Sequence, residues 1–282
     1  MDLRRDIDAI LSARCTEDAW QPYISALRKA GFAQVIYFSH RIIRAANKEV
    51  VDEALELSTL PDALIEQIVA EDLMFHLPML RWIIRSHGSS GWNWMIERQR
   101  NGSLSGPELR CLTLFKRYGM TAGIALSLSD RVPRTRGGIL LVGRTGTTQD
   151  AIDALWQEHY ADIELLSVVL HQRLASLPYR DPPQRLTSRQ REALELTGIG
   201  FSTAEIAERL EVSAPTVEKH LRLARQNLGA RTTTQAVLMA TRRRQIYVDH
   251  GEPCRIPKAA GAARDTWAYR GFPGAAGNRS KA

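Results

Sequence analysis

Between Leu186 and Ile246 the chain is punctuated so densely that only short helices fit. Thr187-Ser-Arg-Gln190 and Ser202-Thr-Ala-Glu205 both have capping-box spacing, in which a hydroxyl takes the N3 amide and the N3 side chain reaches back. The first helix should end near Gly198 or Gly200, the second near Leu210. The turn Glu211-Val212-Ser213 leads into a third helix over 214–228. Ser213 is its expected cap, Pro215 sits in its first turn where a missing N–H costs nothing, and Gly229 is its stop. A fourth begins in Thr232-Thr-Thr-Gln235 and ends near Arg242–Ile246, where cations suit a helix C-terminus. Two short helices joined by a tight turn, the second of them basic, make a helix-turn-helix. In the second, Val217, Leu221, Ala224 and Leu228 form a stripe that has to be buried. The opposite face offers Thr216, Glu218, Lys219, Arg222 and Arg225, which a major groove could accommodate and whose polar groups could read base edges.

Charge points the same way. The net charge is +7 overall, but it is unevenly placed. Arg180–Val248 carries 12 Lys/Arg against 7 Asp/Glu, and Asp249–Ala282 carries 6 against 3, so Met1–Tyr179 is close to neutral. The cationic third is where phosphates would be met. Pro178, Pro182 and Pro183 forbid helix and give an extended connector at 178–185. The chain therefore divides into a domain at 1–177, that connector, a helical domain at 186–248, and a Gly/Pro/Ala-rich basic tail at 249–282 expected to be disordered.

The first domain alternates in period. Asp2–Leu11, Ala19–Ala30, Leu60–Met74, Gly106–Tyr118 and Gln149–Leu177 read as helices, and Gly31–Phe38, Thr121–Leu128 and Gly138–Val142 as strands. Helices flanking a few strands predict an α/β sandwich of α-β-α layers, followed by an all-α helix-turn-helix domain. Cys15, Cys111 and Cys254 are too scattered for a zinc site, and their odd number argues against a disulfide framework. Asp2, Asp6 and Asp8 interrupt any signal-peptide pattern, and no stretch approaches the roughly 20 apolar residues that span a membrane, so a reducing cytoplasm is expected.

Leu186-Thr-x-Arg-Gln-x-Glu192, Gly200, Ile206-Ala207, Leu210, Val212-Ser213, Thr216-Val217-x-x-His220-Leu221, Leu228-Gly229 and Thr234-Gln-Ala-Val237 agree in order and spacing with one pattern. This segment resembles the LuxR-type regulator domain. The resemblance implies a dimeric transcription regulator that reads a pseudo-palindromic site, with Glu218 and Arg222 at base-reaching positions and Thr234–Arg243 on the dimer helix. RNA polymerase would be its further partner. The chain has Phe201 where members usually carry Lys, so one phosphate contact is expected to be missing.

Gly31-Phe32, Leu60-Pro61, Pro78, Trp92 and Gly119-Met-Thr-Ala-Gly123 are similar to the autoinducer-binding domain usually joined to that reader. In that family a sandwich encloses an acyl-homoserine lactone. Counting from Pro61, the Trp, Tyr and Asp that hold the lactone by hydrogen bonds fall on Leu64, Ile68 and Leu77. Aliphatic side chains cannot make those bonds, and each buried amide group without a partner costs roughly 1–3 kcal/mol. An acyl-homoserine lactone is therefore not the expected ligand. Either a small apolar signal molecule takes its place, with Tyr37, Trp82, Arg85, Trp92 and Trp94 as further pocket candidates, or the pocket is filled by its own side chains. The second case gives an alternative function, a ligand-independent regulator or anti-activator forming heterodimers with a lactone-responsive relative.

Other motifs carry less. Gly143-Arg-Thr-Gly-Thr-Thr148 lacks the Lys and spacing of a phosphate loop. His76, His87, His159, His171 and His220 show no metal-ligand spacing, and no nucleophile–base arrangement is legible. The strands lack the acidic ends of a phosphate-receiver domain. No enzyme activity, metal or cofactor is expected.

Overall fold

A computed structural model of the chain describes residues 2–45, 48–129, 131–132, 134–177 and 186–247. The expected connector at 178–185 and tail at 249–282 lie outside these residues. The chain divides into two compact units with the break after Ala175.

The N-terminal unit is a five-stranded antiparallel sheet between two layers of helices. Helices α1 (Leu3–Ser12) and α2 (Thr16–Lys29) precede strands β1 (Phe32–Ala45) and β2 (Lys48–Ser58). Helices α3 (Asp62–Ala70) and α4 (Pro78–Arg85), strand β3 (Gly88–Gly91) and helices α5 (Asn93–Arg100) and α6 (Gly106–Arg117) follow. Strands β4 (Gly123–Ser127) and β5 (Thr135–Gly143) and the long helix α7 (Gln149–Ser176) complete it. The strand order is β2-β1-β5-β4-β3. This is the expected α-β-α sandwich, with β2, β3, α4 and α5 in addition to the elements the sequence predicts. Strand β2 lies at the sheet edge, where a charged residue such as Glu56 is tolerated and masks the alternation.

Strand alternation sorts the two layers. Ile36 and Phe38 of β1, Ala125 of β4 and Leu140 and Val142 of β5 pack in one cluster with residues of α3 through α6. The alternate positions face α7, as the hydrogen bond between Tyr37 and His171 shows, and α7 is tied in turn to α2 by the bond between Tyr23 and Ser167. Two glycines set the closeness of the first layer. A Cβ on Gly123 would stand 2.3 Å from the Leu141 carbonyl and 2.6 Å from the Trp92 ring. One on Gly138 would meet the Leu126 carbonyl at 2.2 Å and Ile83 at 2.5 Å. Their bare backbones let Trp92 and α4 lie directly on the sheet.

The C-terminal unit contains α8 (Ser188–Ile199), α9 (Thr203–Arg209), α10 (Ala214–Leu228) and α11 (Thr233–Arg242). Leu186, Leu194, Ala224, Leu228, Ala236, Ala240 and Ile246 form one core cluster, and Ile206, Ala207 and Val217 another. Among the described residues no helix is long and apolar enough to cross a membrane.

Candidate nucleic-acid interface and sensor layer

Local chemistry places α10. Thr187 accepts from the Gln190 amide while Gln190 Oε1 accepts from the Thr187 amide, closing the first predicted box. Gln190 also accepts from Asn227 at 3.1 Å, which ties the start of α8 to the end of α10. Ser202 and Glu205 close the second box. Burial opposes ionisation little there: the Ser202 hydroxyl and amide hold the Glu205 carboxyl below its ordinary range. Helices α8 and α10 both stop at left-handed glycines, Gly200 and Gly229, as expected.

One cap differs from the expectation. Ser213 stands at the N-cap of α10 but makes no side-chain bond to the helix backbone. Its hydroxyl pairs with that of Thr216 at 2.8 Å instead. The turn before it contains Glu211 at φ 54°, a left-handed conformation that costs a non-glycine residue roughly 1–2 kcal/mol. Glu211→Gly removes that strain and returns about half of it as unfolded-chain entropy. The C-terminal domain is expected to melt a few degrees higher in calorimetry of the full chain. An unchanged or lower transition would show that the turn holds no releasable strain.

Val217, Ala224 and Leu228 are buried and Leu221 is half-buried, so the predicted stripe faces inward. Glu218, Lys219 and Arg222 are exposed on the outer surface and Thr216 is half-exposed. Among the described residues Glu218 and Arg222 form no ion pair, although they stand one turn apart. Arg225 is half-buried and donates to Thr233 at 3.0 Å, linking α10 to α11. Phe201 does not leave its surroundings without a cation, because the Arg209 guanidinium lies 3.8 Å above its ring. On α11 the outward Leu238 is 57% exposed, a large apolar side chain without cover in the monomer.

The sensor layer lies between the sheet and helices α3–α6. Leu64 is 0%, Ile68 2%, Leu77 1% and Trp92 1% exposed, all in one cluster with Leu73, Met79 and Phe115. Exposures this low leave no water-sized space against those side chains. Trp82 and Trp94 are half-buried and pack on the same cluster. The indole N–H groups of Trp92 and Trp94 are buried without acceptors among the described residues. Cys111, also in this layer, donates its thiol to the Leu73 carbonyl at 3.3 Å, and burial pushes its pKa up to about 12, so it is an unreactive core group.

Two pocket candidates fall elsewhere. Tyr37 points through the other face of β1, where its hydroxyl meets His171 Nδ1 at 2.9 Å. Strand parity decides this, since Ile36 and Phe38 already claim the sensor side. Arg85 is exposed in the last turn of α4, where solvent and the helix C-terminus suit its charge better than an apolar layer would. Sequence reasoning missed Glu108. Its carboxylate completes a box with Ser105 and lies 3.7 Å from Arg81 and 3.4 Å from Arg98, clamping α6 to α4 and α5. Burial pushes this carboxyl up, but the Ser105 bonds and the two guanidiniums outweigh it and hold it below its ordinary range.

Comparison with known proteins matches residues 16–174 to the autoinducer binding domain and residues 184–240 to the bacterial regulatory proteins of the luxR family. A stretch of 73 residues is 41% identical to the transcriptional activator protein BjaR1 of Bradyrhizobium diazoefficiens. That match takes in 26% of this chain and spans only 29% of the relative's length. Among solved structures the chain is similar to SdiA of Escherichia coli, at 16% identity over 86% of this chain and 97% of that one, with a TM-score of 0.49. It is also similar to CepR2 of Burkholderia cenocepacia, described as an N-acylhomoserine lactone dependent LuxR family factor. There the identity is 18%, over 62% of this chain and 93% of that one, with a TM-score of 0.47. With an autoinducer-binding domain covering more than half its length and a luxR-type helix-turn-helix domain behind it, the chain belongs to the LuxR family of bacterial regulators.

Proposed function

We propose that the protein is a cytoplasmic, dimeric DNA-binding transcription regulator that lays α10 in the major groove of a pseudo-palindromic site. The observation that carries this reading is the surface of α10, greasy behind and bearing exposed Lys219 and Arg222 in front. Thr216 and Glu218 stand beside them, and Arg225 supports the helix from its C-terminal half. Leu238 on α11 supports pairing of two copies, and a two-fold dimer sets half-sites about one helical turn apart.

The test is binding of the full chain to duplex DNA across a salt series. On a mapped operator, Arg222→Ala is expected to weaken specific binding by about 1–3 kcal/mol. Lys219→Ala should weaken all sequences evenly and lower the salt slope by about one. Wild-type behaviour of both variants would count against α10 as the reading helix.

The sensor layer does not suit an acyl-homoserine lactone, because Leu64, Ile68 and Leu77 offer it no hydrogen bonds. Two regimes are supported by different observations. The near-complete burial of Leu64, Ile68, Leu77 and Trp92 favours a ligand-independent regulator, acting alone or as an anti-activator through mixed dimers. The unpaired indole N–H groups of Trp92 and Trp94 favour a small apolar molecule bearing an acceptor oxygen. Expression with and without cell extract, followed by mass spectrometry of molecules extracted from purified protein, separates them. Equal soluble yield, equal DNA affinity and an empty spectrum would support ligand independence. Co-purification with a lactone-responsive relative would mark the mixed dimer.

A further inference from the structure

We infer that Glu218 is a specificity determinant that selects cytosine, its carboxylate accepting a hydrogen bond from the base's N4 amino group in the major groove. The inference rests on the reading of α10 as the groove helix and names one base that helix recognises.

Glu218 is exposed on α10, next to Lys219 and one turn before Arg222. Isolated helices favour a Glu-to-Arg pair at this spacing. Here the pair is not made, and Glu218 has no hydrogen-bond or ion-pair partner among the described residues. An uncommitted carboxylate on the surface that meets a polyanion is repelled by the phosphates unless something in the groove donates to it. Ionised Glu is acceptor-only. In the major groove guanine presents only acceptors, N7 and O6, and thymine presents an acceptor O4 and a methyl, so both reject it. Adenine offers N6 as donor, but its N7 acceptor stands alongside and faces the second carboxylate oxygen. Cytosine offers its N4 donor beside a C–H edge, so it alone meets the carboxylate without a competing acceptor of its own. The neighbouring Lys219 and Arg222 reduce the phosphate repulsion, and the Arg222 fork suits the O6 and N7 of a guanine near by. Glu218 and Arg222 together therefore fit a short run containing one C and one G on the same strand or across the pair.

The test is selection of duplexes from a randomised library with the full-length protein and with Glu218→Gln, Glu218→Ala and Arg222→Ala. The affinities of all these proteins should be read at one salt concentration, since removing the Glu charge raises non-specific binding in both Glu218 variants alike. Wild type is expected to fix a C at one position of each half-site, with roughly 5- to 150-fold discrimination there. Glu218→Ala should lose the preference at that position alone. Glu218→Gln should move it toward A, because a carboxamide bonds N6 and N7 together. An unchanged wild-type motif in both Glu218 variants overturns the inference and leaves the groove helix intact. Loss in Glu218→Ala of the position that Arg222→Ala also loses overturns it too, because Glu218 would then act by orienting Arg222. Failure of wild type to enrich any sequence overturns the α10 reading itself.

Discussion

Leu77→Asp is expected to leave the N-terminal domain unfolded or insoluble, whereas Leu77→Met folds with a loss below about 1.5 kcal/mol. The position makes the experiment informative, because two effects oppose each other there. Leu77 is the N-cap of α4, ahead of Pro78 and without a side-chain cap bond. By local chemistry alone Asp is a better residue at such a place, by about 1 kcal/mol. Against this, Leu77 is 1% exposed among Leu64, Ile68, Leu73, Met79 and Phe115. Removing its side chain costs about 2–5 kcal/mol, and placing a carboxyl in the same space adds the loss of its hydration. The sum is several kcal/mol out of a total stability of about 5–15, so the core effect wins. If the layer instead opened into a hydrated chamber, Asp would keep its water, gain the cap, and fold at least as well as wild type. Soluble yield and the urea midpoint of tryptophan fluorescence decide between the two. Five of the six tryptophans lie in this domain, so the signal reports on it. Addition of an acyl-homoserine lactone is expected to rescue nothing, since Leu64 and Ile68 remain aliphatic.

The same contrast between local and tertiary causes explains how much of the fold is legible in the sequence. Helices α8 and α9 announce themselves, because Thr187 with Gln190 and Ser202 with Glu205 terminate them through bonds between neighbours in the chain. The two faces of α10 are legible for the same reason, its apolar stripe and its stop being local. Helix α3 is legible by its apolar period alone and α4 and α5 are not legible: Pro61, Leu77 and Trp92 stand at their N-caps and none makes a side-chain cap bond. These short helices are held by packing on the sheet, a cause that involves residues far apart in the chain. Helix α6 does have a full box at Ser105 and Glu108, a local signal from which the role of Glu108 could have been found. The pairing of Glu218 is open from sequence, since helix spacing permits a bond to Arg222 but does not compel it. The face taken by Tyr37 is fixed by a local pattern too, because Ile36 and Phe38 on either side leave it only the other one.

His171 supplies the second large effect, an acid-sensitive stability of the N-terminal domain. It lies on α7 with 0% exposure, and its Nδ1 bonds the Tyr37 hydroxyl. Its Nε2 has no partner among the described residues. The other titratable groups of this buried polar set are Tyr37 itself and Tyr23 of α2, which is bonded to Ser167 one turn earlier on α7; burial pushes the Tyr23 hydroxyl up. Nothing in this set carries a negative charge at neutral pH that would welcome an imidazolium. Burial accordingly pushes the His171 pKa down from 6.5 to about 4. The folded state thus keeps the ring neutral where the unfolded chain protonates it. Between about pH 6.5 and 4 the unfolded state binds more protons, so stability falls as pH falls, and the loss stops once the folded form also protonates. Each tenfold difference in proton affinity between the two states is worth about 1.4 kcal/mol, which makes the full loss about 3 kcal/mol. His171→Asn keeps a polar partner for Tyr37 and cannot protonate. Urea unfolding of wild type and variant at pH 7.5, 6, 5 and 4, followed by tryptophan fluorescence, separates this group from the carboxylates, which titrate alike in both. The wild-type curve should fall toward that of the variant by about 3 kcal/mol across the window. Parallel curves would mean that the imidazole reaches solvent or a counter-charge, and that the layer between α7 and the sheet is looser than its burial implies.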